Sequence, residues 1–229
     1  MNPNDPNIAL IESAVSCLGE LCDRFVFVGG TTTGLLVTDS LRPVARATQD
    51  VDLIVEVASL AAYYELSDEL RSLGFREDIE LTCRWRFGEL IFDVIPTRDV
   101  GLGFENRWYS LAAAEAVPLS LPSGAIIRVV TPVLFIATKI EAFYGRGHGD
   151  YGASHDIEDI ISVVDGRPEL VNEVADSEPD LRNYLVAEVD DLLATREFVD
   201  SISWHLLGLA ENQARVPEII RRLRAIAEL

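Results

Sequence analysis

Apolar and polar positions follow two textures along the chain. Up to about residue 130, short apolar runs alternate with turn residues; beyond it, apolar residues recur at helical spacing. Ile8, Leu10, Ile11, Val15, Cys17, Leu18 and Leu21 predict a first helix over Ile8–Leu21. Phe25-Val-Phe-Val28 reads as a strand that stops at Gly29-Gly30, where a helix starts over Thr31–Leu36. Leu41-Arg-Pro43 ends that segment, and a loop leads to a strand over Asp50–Val55. Ser59–Leu73 predicts a helix with Ser59 as its cap and Gly74 as its stop. Two strands follow, Leu81–Phe87 and Leu90–Ile95, joined at Gly88-Glu89, and a second hairpin flanks Pro122-Ser-Gly124.

At Thr131-Pro132 the pattern changes, with proline at a first helical position. Val133, Ile136, Ala137, Ile140 and Phe143 form the buried stripe of a helix over Pro132–Tyr144. Ser154–Val164 predicts the next helix, and further helices span Glu169–Asp176, Pro179–Ala194, Arg196–Leu207 and Val216–Ala227. The expected organisation is α+β, with a first domain at residues 1–130 and a helical domain at residues 131–229.

Three acids stand out against this frame. In the strand Asp50-Val-Asp52-Leu-Ile-Val55, both carboxylates fall on one face, two positions apart. In the later strand, Leu90, Phe92 and Val94 face one way and Ile91, Asp93 and Ile95 the other. An acid in so apolar a strand is costly unless it is paired, hydrogen-bonded or on a metal. Like charges side by side call for something positive between them, and a hard divalent ion with oxygen ligands is the usual solution. A glycine loop at Gly29-Gly30-Thr31, two acids on one strand face and a third on a later strand supply the parts for holding a nucleoside triphosphate on Mg²⁺.

Composition narrows the reading further. The chain has 229 residues, 48% of them hydrophobic, enough for one large core or two modest ones. No apolar stretch reaches the length of a membrane span, and Met1-Asn-Pro-Asn-Asp-Pro6 lacks the pattern of a secretory signal, so a cytoplasmic location without membrane contact is expected. Cys17, Cys22 and Cys83 are read as reduced, structural thiols. A formal charge of −19 argues against broad nucleic-acid binding through counterion release; it suits solubility, or a cationic partner.

In this order the residues resemble the nucleotidyltransferase superfamily of the DNA polymerase β type, whose signature is Gly-Gly or Gly-Ser, then acid-hydrophobic-acid, then a distant third acid. Within it the chain is similar to the bacterial AbiEii group, toxins of type IV toxin–antitoxin systems, and its MenA-like relatives. The similarity runs through Gly29-Gly30-Thr31, Thr48-Gln-Asp50-Val-Asp52, Phe92-Asp93-Val94, Lys139, Arg146-Gly147 and His155-Asp156-Ile-Glu-Asp159, where the group often has Arg-Asp instead of His-Asp.

The resemblance implies a nucleotidyltransferase-like mixed sheet flanked by helices, followed by a mostly helical C-terminal domain. It implies Mg²⁺ (or Mn²⁺) as cofactor and an NTP as substrate. Asp50, Asp52 and Asp93 would be the metal ligands and catalytic acids, with Asp93 taking the proton of the attacking hydroxyl. Gly29, Gly30 and Thr31 would cradle the phosphates, Lys139 would reach the triphosphate across the cleft, and Arg146 would assist. The acceptor would be RNA, a protein hydroxyl or a small molecule, and a cognate antitoxin is an expected partner. Aminoglycoside-type small-molecule nucleotidyltransferases share the Gly-Gly and long spacer. A non-catalytic nucleotide-binding or antitoxin-like module is the remaining alternative.

Overall fold

The computed structural model describes residues 5–103, 106–145, 149–206, 208 and 210–229. Its contacts divide the chain into two compact units, one formed by Pro3–Gly34 and Val44–Thr131, the other chiefly by Leu35–Pro43 and Pro132–Leu229.

In chain order the elements up to Thr131 are α1 (Pro6–Leu18), β1 (Phe25–Val28), α2 (Thr33–Leu36), β2 (Asp50–Val55), α3 (Leu60–Ser72), β3 (Arg76–Glu77), β4 (Arg84–Phe87), β5 (Leu90–Pro96), α4 (Tyr109–Ala114), β6 (Val117–Ser120) and β7 (Ile126–Val129). The strands form one mixed sheet in the order β3-β4-β5-β2-β1-β7-β6. β2 runs parallel to β5 and β1 parallel to β7, while every other neighbouring pair is antiparallel. This is the expected α+β architecture.

The centre of the sheet is apolar on both faces, which is why β1 and most of β2 read as continuous hydrophobic runs. Phe25, Val26, Phe27 and Val28 are all buried, as are Val51, Leu53, Ile54 and Val55. From the flanking helices α1 buries Ile8, Ile11, Ala14 and Leu18, and α3 buries Tyr63, Leu66 and Leu70. Each large side chain fully removed from water contributes about 1.5–3 kcal/mol. Ser59 caps α3, its hydroxyl accepting from the Ala62 N–H at 3.2 Å.

Elements without a periodic signal were not expected: the two-residue β3 and the single-turn-and-a-half α4. The predicted helix at Thr31–Leu36 is instead a 3₁₀ turn over Gly30–Thr32 that runs into the four residues of α2.

The second unit contains α5 (Pro132–Gly145), α6 (His155–Gly166), α7 (Leu170–Ala175), α8 (Pro179–Ala194), α9 (Arg196–Ser201), α10 (Ala210–Gln213) and α11 (Val216–Ala227). α5 packs on α6, and α11 on α8 and α6. The helix expected over Arg196–Leu207 stops at Ser201, and α10 is an addition to the expected set. Leu35–Pro43 is tied to the end of α6. The Thr38 and Asp39 N–H groups both donate to the Gly166 carbonyl, at 3.0 and 2.9 Å, and Arg167 donates to the Leu36 carbonyl at 2.8 Å. A Cβ at Gly166 would collide with Val37, so glycine permits this approach. Arg222 of α11 donates to the Val164 and Asp165 carbonyls, satisfying backbone acceptors at the buried C-terminal end of α6.

Among the described residues no helix is long and apolar enough to cross a membrane. The three cysteines are unpaired; Cys22 and Cys83 are buried and Cys17 is half-buried.

Asp5 caps α1, accepting from the Asn7 N–H at 2.9 Å, while its second carboxylate oxygen is buried without a hydrogen-bond partner. Burial pushes its carboxyl above the usual carboxylate range, against the opposing hydrogen bonds from Asn7. A raised carboxyl favours the protonated folded form, so its contribution to stability is present at low pH and lost as pH rises through the folded-state value. Asp5→Asn keeps the capping acceptor and removes the charge. Urea denaturation of variant and parent is therefore expected to show the difference moving in favour of Asp5→Asn between pH 3 and pH 7; an unchanged difference contradicts the account.

Candidate functional site

The three acids predicted to converge do so through strand register. β2 lies beside β5 with Asp52 opposite Asp93, and Asp50 precedes Asp52 by two positions, so all three belong to one face of the sheet. On the other side of β2, Val28 at the end of β1 pairs with Asp52, which brings Gly29 against the Asp52 side chain. Gly29 has φ +68°, and a Cβ there would overlap the Asp52 carboxylate. The glycine thus serves two ends: it allows a left-handed turn and it makes room for an acid.

Thr31, Thr32 and Thr33 are buried behind this turn. The Thr32 hydroxyl donates to the Gly29 carbonyl at 2.9 Å, and the Thr31 hydroxyl to the Val28 carbonyl at 3.4 Å. Both hydroxyls therefore brace the backbone of the glycine turn.

What sits between the acids is an arginine. Arg84, first residue of β4, is paired in register with Asp93 across the hairpin. Its Nε donates to Asp93 Oδ1 at 2.7 Å, and its Nη2 donates to Asp93 Oδ2 at 2.7 Å and to Asp50 Oδ2 at 2.9 Å. These are charge-assisted lengths, and the Asp93 contact is the two-pronged fork that guanidinium and carboxylate geometry favour. The hydrogen bonds to Asp93, then the charges of Asp93, Asp50 and Asp52, hold the guanidinium above its ordinary range, so it is a permanent cation. Side-chain exposures of 22% for Arg84 and Asp93 and 35% for Asp50 leave the cluster open to solvent. Just before Arg84, Cys83 takes φ +65°, uncommon for a residue with a side chain, and its carbonyl accepts from the Val94 N–H at 2.8 Å.

The donor set suits a hard cation by chemistry, since three carboxylates on adjacent strands offer only oxygen. The arrangement does not fit one as it stands. Among the described residues no group of three His, Cys, Asp or Glu side chains is disposed to hold a metal ion, and the guanidinium takes up the Asp93 oxygens and one of Asp50.

Lys139 is on α5 in the helical unit, buried, with Nζ 3.1 Å from Asp156 Oδ1 and 2.7 Å from Asp159 Oδ2. Asp156 and Asp159, three apart on α6, are buried with it. Arg146 lies outside the described residues. Arg84 is the residue that sequence reasoning missed. The signal was present: a two-residue turn at Gly88-Glu89 pairs Phe87 with Leu90, and counting back along both strands sets Arg84 opposite Asp93.

No family model matches the chain, and no curated protein matches it. Among solved structures it is similar to an antigenic nucleotidyltransferase-like protein from Paracoccidioides brasiliensis, at 22% identity over 88% of this chain and 93% of that one, with a TM-score of 0.52. The antibiotic-resistance factor ANT(2'')-Ia gives 19% identity, 82% and 95% coverage and a TM-score of 0.46. JHP933 from Helicobacter pylori gives 13%, 96% and 90%, and 0.49. The first similarity shows a shared nucleotidyltransferase-like fold; the other two add nothing to it.

Two variants test the roles assigned to this geometry. Gly29→Ala forces a side chain into a left-handed turn and into the Asp52 carboxylate, and is expected to cost more than about 1 kcal/mol in urea denaturation; no loss contradicts the packing role. Lys139→Met leaves two buried carboxylates without that ammonium and is expected to cost roughly 3–5 kcal/mol. A midpoint equal to the parent's would show that Lys139 is not a structural ion.

Proposed function

We propose that the chain is a nucleotidyltransferase that moves an NMP from an NTP to a hydroxyl acceptor at the face carrying Asp50, Asp52 and Asp93. The observation that carries this reading is the register of β2 and β5, which sets Asp52 against Asp93 next to the Gly29 turn in a nucleotidyltransferase-like sheet. In the reaction, the acceptor oxygen forms a bond to the α-phosphorus and the bond from that phosphorus to the bridging oxygen of the β-phosphate breaks. Pyrophosphate leaves and the hydroxyl proton passes to a carboxylate. Asp93 is the proposed base. Catalysis would rest on positioning and on neutralising charge as it develops.

Mg²⁺ or Mn²⁺ belongs to this proposal as cofactor, supplying positive charge to the triphosphate when bound. Acceptance by Asp93 requires that its oxygens be relieved of Arg84.

For the acceptor, the order of motifs from Gly29 to Asp159 supports an AbiEii-like toxin acting on RNA or protein, with an antitoxin as partner. The −19 charge supports a cationic small molecule of the aminoglycoside kind instead. A third reading, a binding module without catalysis, is favoured by one observation: Asp50 and Asp93 are already bridged by an arginine, which offsets part of their charge.

The test is incubation of the parent, Asp50→Ala and Asp93→Asn with each NTP labelled at the α-phosphate, alongside cellular RNA, protein and an aminoglycoside panel. Label is expected on one acceptor class with the parent, and to fall by about a hundredfold or more in both variants. Transfer that survives both substitutions, or a parent that transfers nothing to any acceptor, contradicts the enzymatic reading.

A further inference from the structure

We infer that Arg84 is an exchangeable internal counter-ion, which holds the acid face closed to divalent metal and must swing away from Asp50 and Asp93 before a metal ion can use them. The inference rests on the proposal that this face binds an NTP with a divalent cation.

Three observations support it. First, the guanidinium engages both oxygens of Asp93 and one of Asp50 through only two of its nitrogens, so a single side chain bridges acids from two strands. Second, a small divalent ion would need some of the same oxygens at about 2.0–2.1 Å. A dication and a guanidinium cannot both bridge these carboxylates, since each would stand within a few ångströms of the other's charge with little solvent between. Third, Arg84 stands at the start of β4 with 22% of its side chain exposed, so a turn about its own side-chain bonds carries the guanidinium into water without unpairing the strand. Register pairing of Arg84 with Asp93 means that the counter-ion is built into the hairpin rather than borrowed from a mobile loop.

The consequence is a self-competing site. Three carboxylates and one guanidinium sum to a formal charge of −2, so Arg84 offsets only part of the acid charge. Apparent metal affinity is then the intrinsic affinity reduced by the fraction of molecules in which Arg84 has swung out. Removing the competing charge removes that reduction.

The experiment is Mn²⁺ binding to the full chain, read from the loss of the free-ion electron paramagnetic resonance signal and repeated with Mg²⁺ by calorimetry, without nucleotide. Arg84→Gln is expected to bind Mn²⁺ roughly tenfold more tightly than the parent, and Arg84→Lys, which keeps one charge without the fork, to lie between them. Equal or weaker binding in Arg84→Gln overturns the inference. If that happens while labelled NMP transfer still depends on Asp50 and Asp93, only the counter-ion role fails. If neither parent nor Arg84→Gln binds metal and no transfer occurs, the nucleotidyl-transfer reading fails with it. Should Arg84→Gln not fold, nitrogen-15 spectra of the parent decide. The Arg84 Nε–H proton, shielded by Asp93, is expected to exchange faster with water as Mg²⁺ is added; an unchanged rate at saturation overturns the inference.

Discussion

Carboxylates on neighbouring strands repel, and in this chain a guanidinium from a third strand answers that repulsion. β4, β5 and β2 are adjacent in the sheet, and Arg84, Asp93 and Asp50 are linked across them by three charge-assisted hydrogen bonds. The same face continues through Asp52 to the Gly29 turn, where the absence of a side chain admits a carboxylate. An apolar sheet centre fixes the register, and the register fixes which charges meet. A slip of one residue in β5 would turn Asp93 into the core and Phe92 into water.

This coupling explains why some of the molecule was legible in its sequence. Period-two alternation in Asp50–Val55 and Leu90–Ile95 assigned the acids to strand faces, and Ser59, Ser154, Pro132 and Pro179 marked helix starts that the structure keeps. Phe25–Val28 was recognisable because a central strand buried on both faces has no polar positions. What stayed hidden depended on long-range pairing or on length. β3 is two residues long, α10 is four, and Leu35–Pro43 joins the helical unit through hydrogen bonds to Gly166, far along the chain. None of these leaves a periodic trace.

The like-charge problem was visible and pointed to a metal; the fold also sets an arginine between two of the acids. Both follow from the same electrostatics, and composition does not separate them. The hairpin does, because a tight turn at Gly88-Glu89 dictates the partner of Asp93. Lys139 carries a similar lesson. Its place on α5 suggested a charged group off the buried stripe, yet α6 brings Asp156 and Asp159 to it and the ammonium is buried with them. Buried ions kept in such pairs strongly destabilise a fold when one partner is removed.

The acid face therefore combines two properties: three carboxylates on adjacent strands that offer a cation only oxygen, and a guanidinium that engages two of them. Under the proposed function these are two states of one site. A crystal structure of the chain grown with Mn²⁺ and a non-hydrolysable NTP tests it most directly. An anomalous peak within coordinating distance of Asp50 and Asp93, with the Arg84 guanidinium withdrawn from both, is the predicted result. Arg84 still bridging the two acids, with metal and triphosphate bound elsewhere or not at all, would contradict it.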